Sequence, residues 1–278
     1  MRSILKYPGS KWTLAEWIIG NMPPHKSYLE PYFGSGAVFF NKPPSNYETI
    51  NDLDGNVVNF FKVCRDFPDE LARAINLTPF SREEMLSIME DRAGEEIKLT
   101  GVPVEDARRF AVRCCQSFGS KLADRAGWKN TKQPKGPKNA LIWNRVPEIV
   151  YEAAERLKGA QIERTEAVQL IRDYNHPECL IYADPPYLGE TRGDGSRDLT
   201  ARRLYRIEMM KPEAHIELLD VLLSHKGPVI ISGYDNPLYN EKLSEWRKVT
   251  HTGRSNSGGA RQESLWINFS GEQRSLFD

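Results

Sequence analysis

The apolar positions of this chain change period along its length, and the changes mark out alternating strands and helices. Tyr28-Leu29-Glu30-Pro31 reads as the end of a short strand and Glu48-Thr49-Ile50-Asn51-Asp52 as a second, with further strands at 161–164, 178–183 and 228–233. Between them the spacing lengthens to that of a helix. Val57, Val58, Phe60, Phe61 and Cys64 fall on one side of a helix from about Asp54 to Cys64, and another helix is predicted from about Pro147 to Leu157. Strands alternating with helices predict βαβ units and a parallel sheet. A glycine turn at Tyr32-Phe33-Gly34-Ser35-Gly36 followed by apolar Ala37-Val38-Phe39-Phe40 predicts a further helix opening there. Residues 245–269 alternate like two antiparallel strands.

Residues 68–120 carry a helical pattern with breaks near Thr78-Pro79 and Gly101–Pro103. From Gly119 to Asn139 the period disappears. Lys121, Arg125, Lys129, Lys132, Lys135 and Lys138 occur there against one acid, Asp124, with Trp128 in their midst. The predicted organisation is a discontinuous α/β domain (1–66 and 156–270), a helical and basic insert (67–155) and a polar tail (271–278).

The 278 residues suffice for one α/β domain with an insert. With 38 basic and 38 acidic side chains the net charge is zero, which excludes a uniformly basic coat but leaves room for a local patch. No run is long and apolar enough to span a bilayer, and strong features begin at Lys6, so neither membrane insertion nor a cleaved leader is expected. Four cysteines without CxxC pairing fit a reducing cytoplasm. The five histidines are scattered without metal-ligand spacing, and no metal is expected.

The candidate chemistry centres on Asp184-Pro185-Pro186-Tyr187, delivered by the apolar run Cys179–Ala183. Proline fixes its own φ and restricts the residue before it, so Asp184 and Tyr187 are held in a set relationship. A carboxylate beside an aromatic ring can hydrogen-bond an amino group and stack a planar base, as chemistry on the exocyclic nitrogen of a nucleobase requires. A plain proline-rich turn is the alternative. The glycine turn allows close backbone approach to a ligand. Asp52 follows at roughly the 20-residue spacing at which an acid binds ribose hydroxyls in dinucleotide folds, although Phe39 stands where a third glycine would be. A second turn, Lys6-Tyr7-Pro8-Gly9-Ser10-Lys11, reads on composition alone as an N-terminal β-turn with solvated lysines.

In order and wording these segments resemble the Dam-type DNA N6-adenine methyltransferases. The resemblance rests on Lys6–Lys11, Glu30–Gly36, Asn51-Asp52 and Asp184–Tyr187. It extends to Ile231-Ser232-Gly233-Tyr234-Asp235-Asn236 and Glu263–Asn268, and covers most of the chain outside about 67–160. It implies a Rossmann-like seven-stranded sheet, mainly parallel with one antiparallel strand, that binds S-adenosylmethionine. It places cofactor contacts at Tyr7, Lys11, Asp52 and Asp184, with Glu30, Phe33, Gly34 and Gly36 completing the candidate pocket. Tyr7 stands where the family often has Trp. The insert does not resemble the family's GATC-reading region, so the target sequence is not carried over.

The chemistry so implied is direct methyl transfer to adenine N6 in duplex DNA. Asp184 and the Pro185 carbonyl accept the two amino hydrogens, and Tyr187 stacks on the flipped base. No Pro-Cys dipeptide is present to serve as the nucleophile of cytosine-C5 chemistry. The alternatives are an N4-cytosine methyltransferase, which more often has Ser in place of Asp184, RNA or nucleoside methylation, and a DNA-binding relative without catalysis. DNA contacts are expected from Lys121, Arg125, Lys129, Lys132 and Lys135, and from Arg197 and Arg202 in the loop after Tyr187. The tail Gln273-Arg274-Ser275-Leu276-Phe277 resembles the Gln-Leu-Ser-Leu-Phe peptide that docks on bacterial sliding clamps, with Arg274 in place of Leu. Its alternative is that Leu276 and Phe277 fold back onto the domain.

Overall fold

The computed structural model describes residues 1–89, 97–118, 127–131, 135–188, 209, 211–254 and 260–270. Its frame is a seven-stranded sheet of β1 (Ser27–Glu30), β2 (Tyr47–Asn51), β3 (Ala160–Glu163), β4 (Cys179–Ala183), β5 (Val229–Tyr234), β6 (Arg247–Arg254) and β7 (Ala260–Ile267). The strand order is β3-β2-β1-β4-β5-β7-β6. β1 to β5 pair in parallel, and β7 runs antiparallel between β5 and β6. This is the mainly parallel, Rossmann-like sheet with one reversed strand that the resemblance implies. The order reverses between β1 and β4, and such a switch point opens a crevice beyond the carboxyl ends of the strands.

Alternation along β4 shows why both sheet faces are covered. Leu180 and Tyr182 join one apolar core, while Cys179, Ile181 and Ala183 join another on the opposite face. The second core is closed by α8 (Ala167–Asp173), α9 (Pro212–Leu223) and α10 (Pro237–Lys242). The first is closed by α1 (Ala15–Ile19) and α2 (Gly55–Asp66), and it takes in the helices of the insert. Asp54 caps α2 by accepting the Asn56 N–H at 2.9 Å.

Between α2 and β3 lie α3 (Pro68–Asn76), α4 (Arg82–Ser87), α5 (Pro103–Gln116), α6 (Asn139–Trp143) and α7 (Val146–Leu157). The break at Thr78-Pro79 forms as predicted, but the second is wider than Gly101–Pro103, because α4 ends at Ser87 and Met89 bridges to Ile97, and α6 was not predicted. The apolar side chains of these helices are continuous with the sheet's own core. Phe60 of α2 meets Phe110 of α5 with ring centroids 6.1 Å apart. At the return, Arg156 of α7 pairs with the buried Glu48 of β2, which also holds Lys42 Nζ at 2.6 Å.

The helix predicted after the glycine turn does not form. Residues 37–42 make only consecutive turns, with the Lys42 N–H donating to Val38 O at 2.9 Å and the Asn41 N–H to Val38 O at 3.1 Å. Pro43 and Pro44 stop propagation, because proline lacks an N–H and disfavours α geometry in the residue before it. The apolar run is instead absorbed by an aromatic cluster in which Phe33 meets Phe61 at 4.8 Å and Phe39 at 5.7 Å. β2 also ends one residue early, leaving Asp52 just beyond it.

Candidate active site

β4 carries Asp184 to the switch point, where three other parts of the chain converge on its carboxylate. Lys11 Nζ lies 2.9 Å from Oδ2, and Ser232 Oγ, from β5, donates to Oδ1 at 2.8 Å. Tyr187 Oη approaches Oδ1 at 3.4 Å. Lys11 also donates to Gly9 O at 2.9 Å and is only 5% exposed, against 19% for Asp184. The reading of the first turn as one with solvated lysines therefore holds for exposed Lys6 and is corrected for Lys11. The cause is long-range: the Asp184 carboxylate, brought alongside by β4, makes burial of the ammonium tolerable. The turn itself forms as expected, with the Ser10 N–H donating to Tyr7 O at 3.3 Å and Gly9 at φ 66°. Ser10 Oγ is 2.9 Å from Ser35 Oγ, which pins this turn to the glycine turn.

The glycine turn has Gly34 at φ 50° and Gly36 at φ 65°. The Gly34 N–H donates to Asp52 Oδ2 at 2.8 Å, and the Asp54 N–H to Oδ1 at 2.9 Å. Burial pushes the Asp52 carboxyl up to about 6, while those two N–H groups pull it down. It is thus still an acceptor at neutral pH. Glu30, at the end of β1, is 2% exposed and accepts from Tyr28 Oη at 2.7 Å. Burial, reinforced by the nearby charge of Asp184, pushes Glu30 up to about 8.

A cavity of about 410 Å³ opens over these strand ends, lined by Tyr7, Lys11, Glu30, Phe33, Gly34, Asp52 and Asp184 among others. Of the candidate cofactor set, only Gly36 is not in the wall. It sits behind the turn, where a Cβ would come within 2.4 Å of Phe33 Cζ, so its role there is to admit the rings of Phe33 and Phe40. Tyr32, Glu166 and Val168 are among the further residues of the wall, and the sequence reading missed them as site residues.

Pro186 lines the cavity; Pro185 and Tyr187 do not. Tyr187 stands beside it, with Oη donating to Glu263 Oε2 at 2.8 Å and its ring edge-on to Tyr234 at 4.5 Å. Glu263 of β7 is paired opposite Tyr234 of β5. Ser232, Tyr234 and Glu263 lie in segments that the resemblance had singled out without giving them a role. Their only available signal was that similarity.

Trp128 packs within the insert, with its ring 5.4 Å from Phe80 and 5.4 Å from the Arg82 guanidinium. Its bridge to Ser117 and this packing make it a structural residue of the insert. Lys129 is half-buried beside it, and Lys135 and Lys138 are exposed. Lys121, Arg125, Lys132, Arg197, Arg202 and the tail 271–278 lie outside the described residues. Among the described residues, no helix is long and apolar enough to cross a membrane.

The site is thus a carboxylate-lined cavity at the switch point of a doubly wound sheet, with Asp184-Pro185-Pro186-Tyr187 directly after β4. The model of the D12 class N6 adenine-specific DNA methyltransferases matches residues 7–253, and the chain belongs to this family. It is similar to the Type II methyltransferase M1.LlaDCHI of Lactococcus lactis subsp. cremoris, with 26% identity over 97% of this chain and 96% of that one. It is 23% identical to the DNA adenine methylase of Salmonella typhi, over 94% of this chain and 92% of that one. A DNA adenine methylase of Vibrio cholerae is 31% identical over 67% of this chain and 65% of its own length. The protein is thus a DNA adenine methyltransferase and uses a methyl donor.

Proposed function

We propose that the donor is S-adenosylmethionine, held in the cavity at the switch point, and that the target adenine enters the adjoining site beside Tyr187. The residues present fit such a donor. The cavity is within the usual range for small-molecule sites of roughly 300–1,000 Å³. Asp52, fixed by two backbone N–H groups, has lone pairs left for a pair of hydroxyls. Lys11 offers a cation for a carboxylate, and the Tyr7 ring lies against Gly34 as a cover, 3.2 Å from where a Cβ would be. When bound, S-adenosylmethionine supplies a methyl group on a positively charged sulfur.

The observation that carries the mechanism is the Asp184 carboxylate, fixed at the cavity edge by Lys11 and Ser232. An adenine amino nitrogen is a weak nucleophile because its lone pair is delocalised into the ring. Asp184 accepting one N6–H and the Pro185 carbonyl accepting the other would draw that nitrogen toward tetrahedral geometry. Tyr187, held by Glu263, would stack on the base, an interaction worth about 1–3 kcal/mol. Positioning and local charge supply the acceleration. The cysteines take no part in this reading, and burial pushes the Cys64 thiol up to about 12.

The test is Asp184→Ala, assayed by mass spectrometry for N6-methyladenine. Loss of activity by at least about a hundredfold with an unchanged circular dichroism spectrum is expected. Near wild-type activity would refute the mechanism.

Residues 67–155 are proposed as the target-recognition insert, with Lys121, Arg125, Lys129, Lys132 and Lys135 on phosphates and Arg197 and Arg202 as further contacts. The relatives include both a Type II methyltransferase and DNA adenine methylases. Methylation-sensitive sequencing of an expressing host's DNA would identify the target site. Clamp docking through Gln273–Phe277 rests on sequence alone. An anisotropy titration of the 271–278 peptide against the host clamp tests it, and no binding at tens of micromolar would dismiss it.

A further inference from the structure

Ser232 is 1% exposed on β5, and its hydroxyl has three polar neighbours. Asp184 Oδ1 lies at 2.8 Å, Tyr182 Oη at 3.1 Å and the Ala183 carbonyl at 3.3 Å. A hydroxyl has one proton to donate. The carboxylate is the nearest acceptor and is charged, so the Ser232 proton goes to Asp184, and Tyr182 donates to Ser232 in turn. Strand geometry sets this up. Residues 182 and 184 share one side of the chain leaving β4, and the register pairing Ala183 with Ile231 brings Ser232 alongside. Lys11 holds the other carboxylate oxygen at 2.9 Å. Clamped from both sides, the carboxylate is confined to one plane.

We propose that Ser232 is a positioning residue for methyl transfer. It rests on the reading of Asp184 as the acceptor of the adenine amino group. Ser232 fixes the plane of that carboxylate, and Tyr182 supports Ser232 from within the sheet. Only a carboxylate whose lone pair is aimed at an N6–H can direct the nitrogen's own lone pair, and a rotating one meets that geometry rarely.

The experiment compares Ser232→Ala, Ser232→Thr, Tyr182→Phe and Asp184→Ala in the full chain, and Ser232→Ala combined with Asp184→Ala, on unmethylated DNA. Ser232→Ala is expected to lower kcat by about ten- to a hundredfold, the kinetic equivalent of losing one hydrogen bond to a charged group. KM for DNA and for S-adenosylmethionine, and the melting temperature, stay near wild type. Ser232→Thr, which keeps the hydroxyl, recovers most of the loss. In the Asp184→Ala background the Ser232 change costs nothing further. Should Ser232→Ala fail to fold, Tyr182→Phe gives the same reading with a smaller fall in kcat. Wild-type kcat in Ser232→Ala or, where that fails to fold, in Tyr182→Phe, or a loss that appears only in KM, with Asp184→Ala inactive, would overturn the positioning role alone. An active Asp184→Ala would overturn the underlying mechanism as well.

Discussion

Lys11 and Asp184 form an ion pair at 2.9 Å that joins the N-terminal turn to the end of β4 across the mouth of the cavity. In the proposed mechanism the pair couples the donor pocket to the base site. Replacing Lys11 by Met leaves a largely buried carboxylate without its cation. A loss of about 2–4 kcal/mol in urea unfolding is expected, toward the lower end because Asp184 retains some exposure. Methyl transfer should fall at least tenfold, and donor binding by calorimetry should weaken with it. Unchanged stability and affinity would show that the pair is dispensable.

Glu30 predicts a specific pH dependence. Its carboxyl is raised from 4.5 to about 8, chiefly by burial. The folded state therefore holds a proton that the unfolded chain releases near 4.5. Between those values the folded form binds more protons, so the Glu30 contribution is complete below 4.5 and is lost as pH rises through 8. Asp52, raised to about 6, acts in the same sense at lower pH. His25 and His225, lowered from 6.5 by burial, act in the opposite sense below about that pH. The comparison of wild type with Glu30→Gln isolates one group. Wild type should lose about 2 kcal/mol more than the variant between pH 6 and 8. Parallel stability curves would rule this out.

Gly36 tests the glycine turn. With φ at 65° and Phe33 Cζ 2.4 Å from the position of a Cβ, Gly36→Ala must both strain the backbone and displace an aromatic ring. A loss of about 2 kcal/mol or more in thermal or urea unfolding is expected, with weaker donor binding because Phe33 lines the cavity. A variant with wild-type melting and affinity would mean that the aromatic cluster yields easily.

The basic insert makes a prediction about salt. Replacing Lys129, Lys132 and Lys135 together by Ala should weaken binding to all DNA sequences. It should reduce the slope of log affinity against log salt by about 0.9 for each phosphate that is no longer neutralised. An unchanged slope in fluorescence anisotropy would place this stretch away from the DNA.

By itself, the sequence determined the alternation of strands and helices, because the helical spacing of Val57–Cys64 and short β-branched or apolar runs between turn residues, such as Cys179–Ala183 before two prolines, repeat in alternation along the chain. The placement of Asp184-Pro185-Pro186-Tyr187 directly after a buried strand was legible for the same local reason, since an apolar run that stops at two prolines marks a strand end without help from the rest of the fold. The turns at 37–42 were misread because four apolar residues look alike in a helix and in an aromatic cluster, and the packing of Phe33, Phe39 and Phe61 decides between them. Burial of Lys11, the clamp of Ser232 on Asp184, the hold of Glu263 on Tyr187 and the inward packing of Trp128 were decided by tertiary structure. Each depends on which strands become neighbours across the switch point, or on how the insert folds against itself. Those are properties of long-range packing, and the local pattern of residues does not encode them in any one segment.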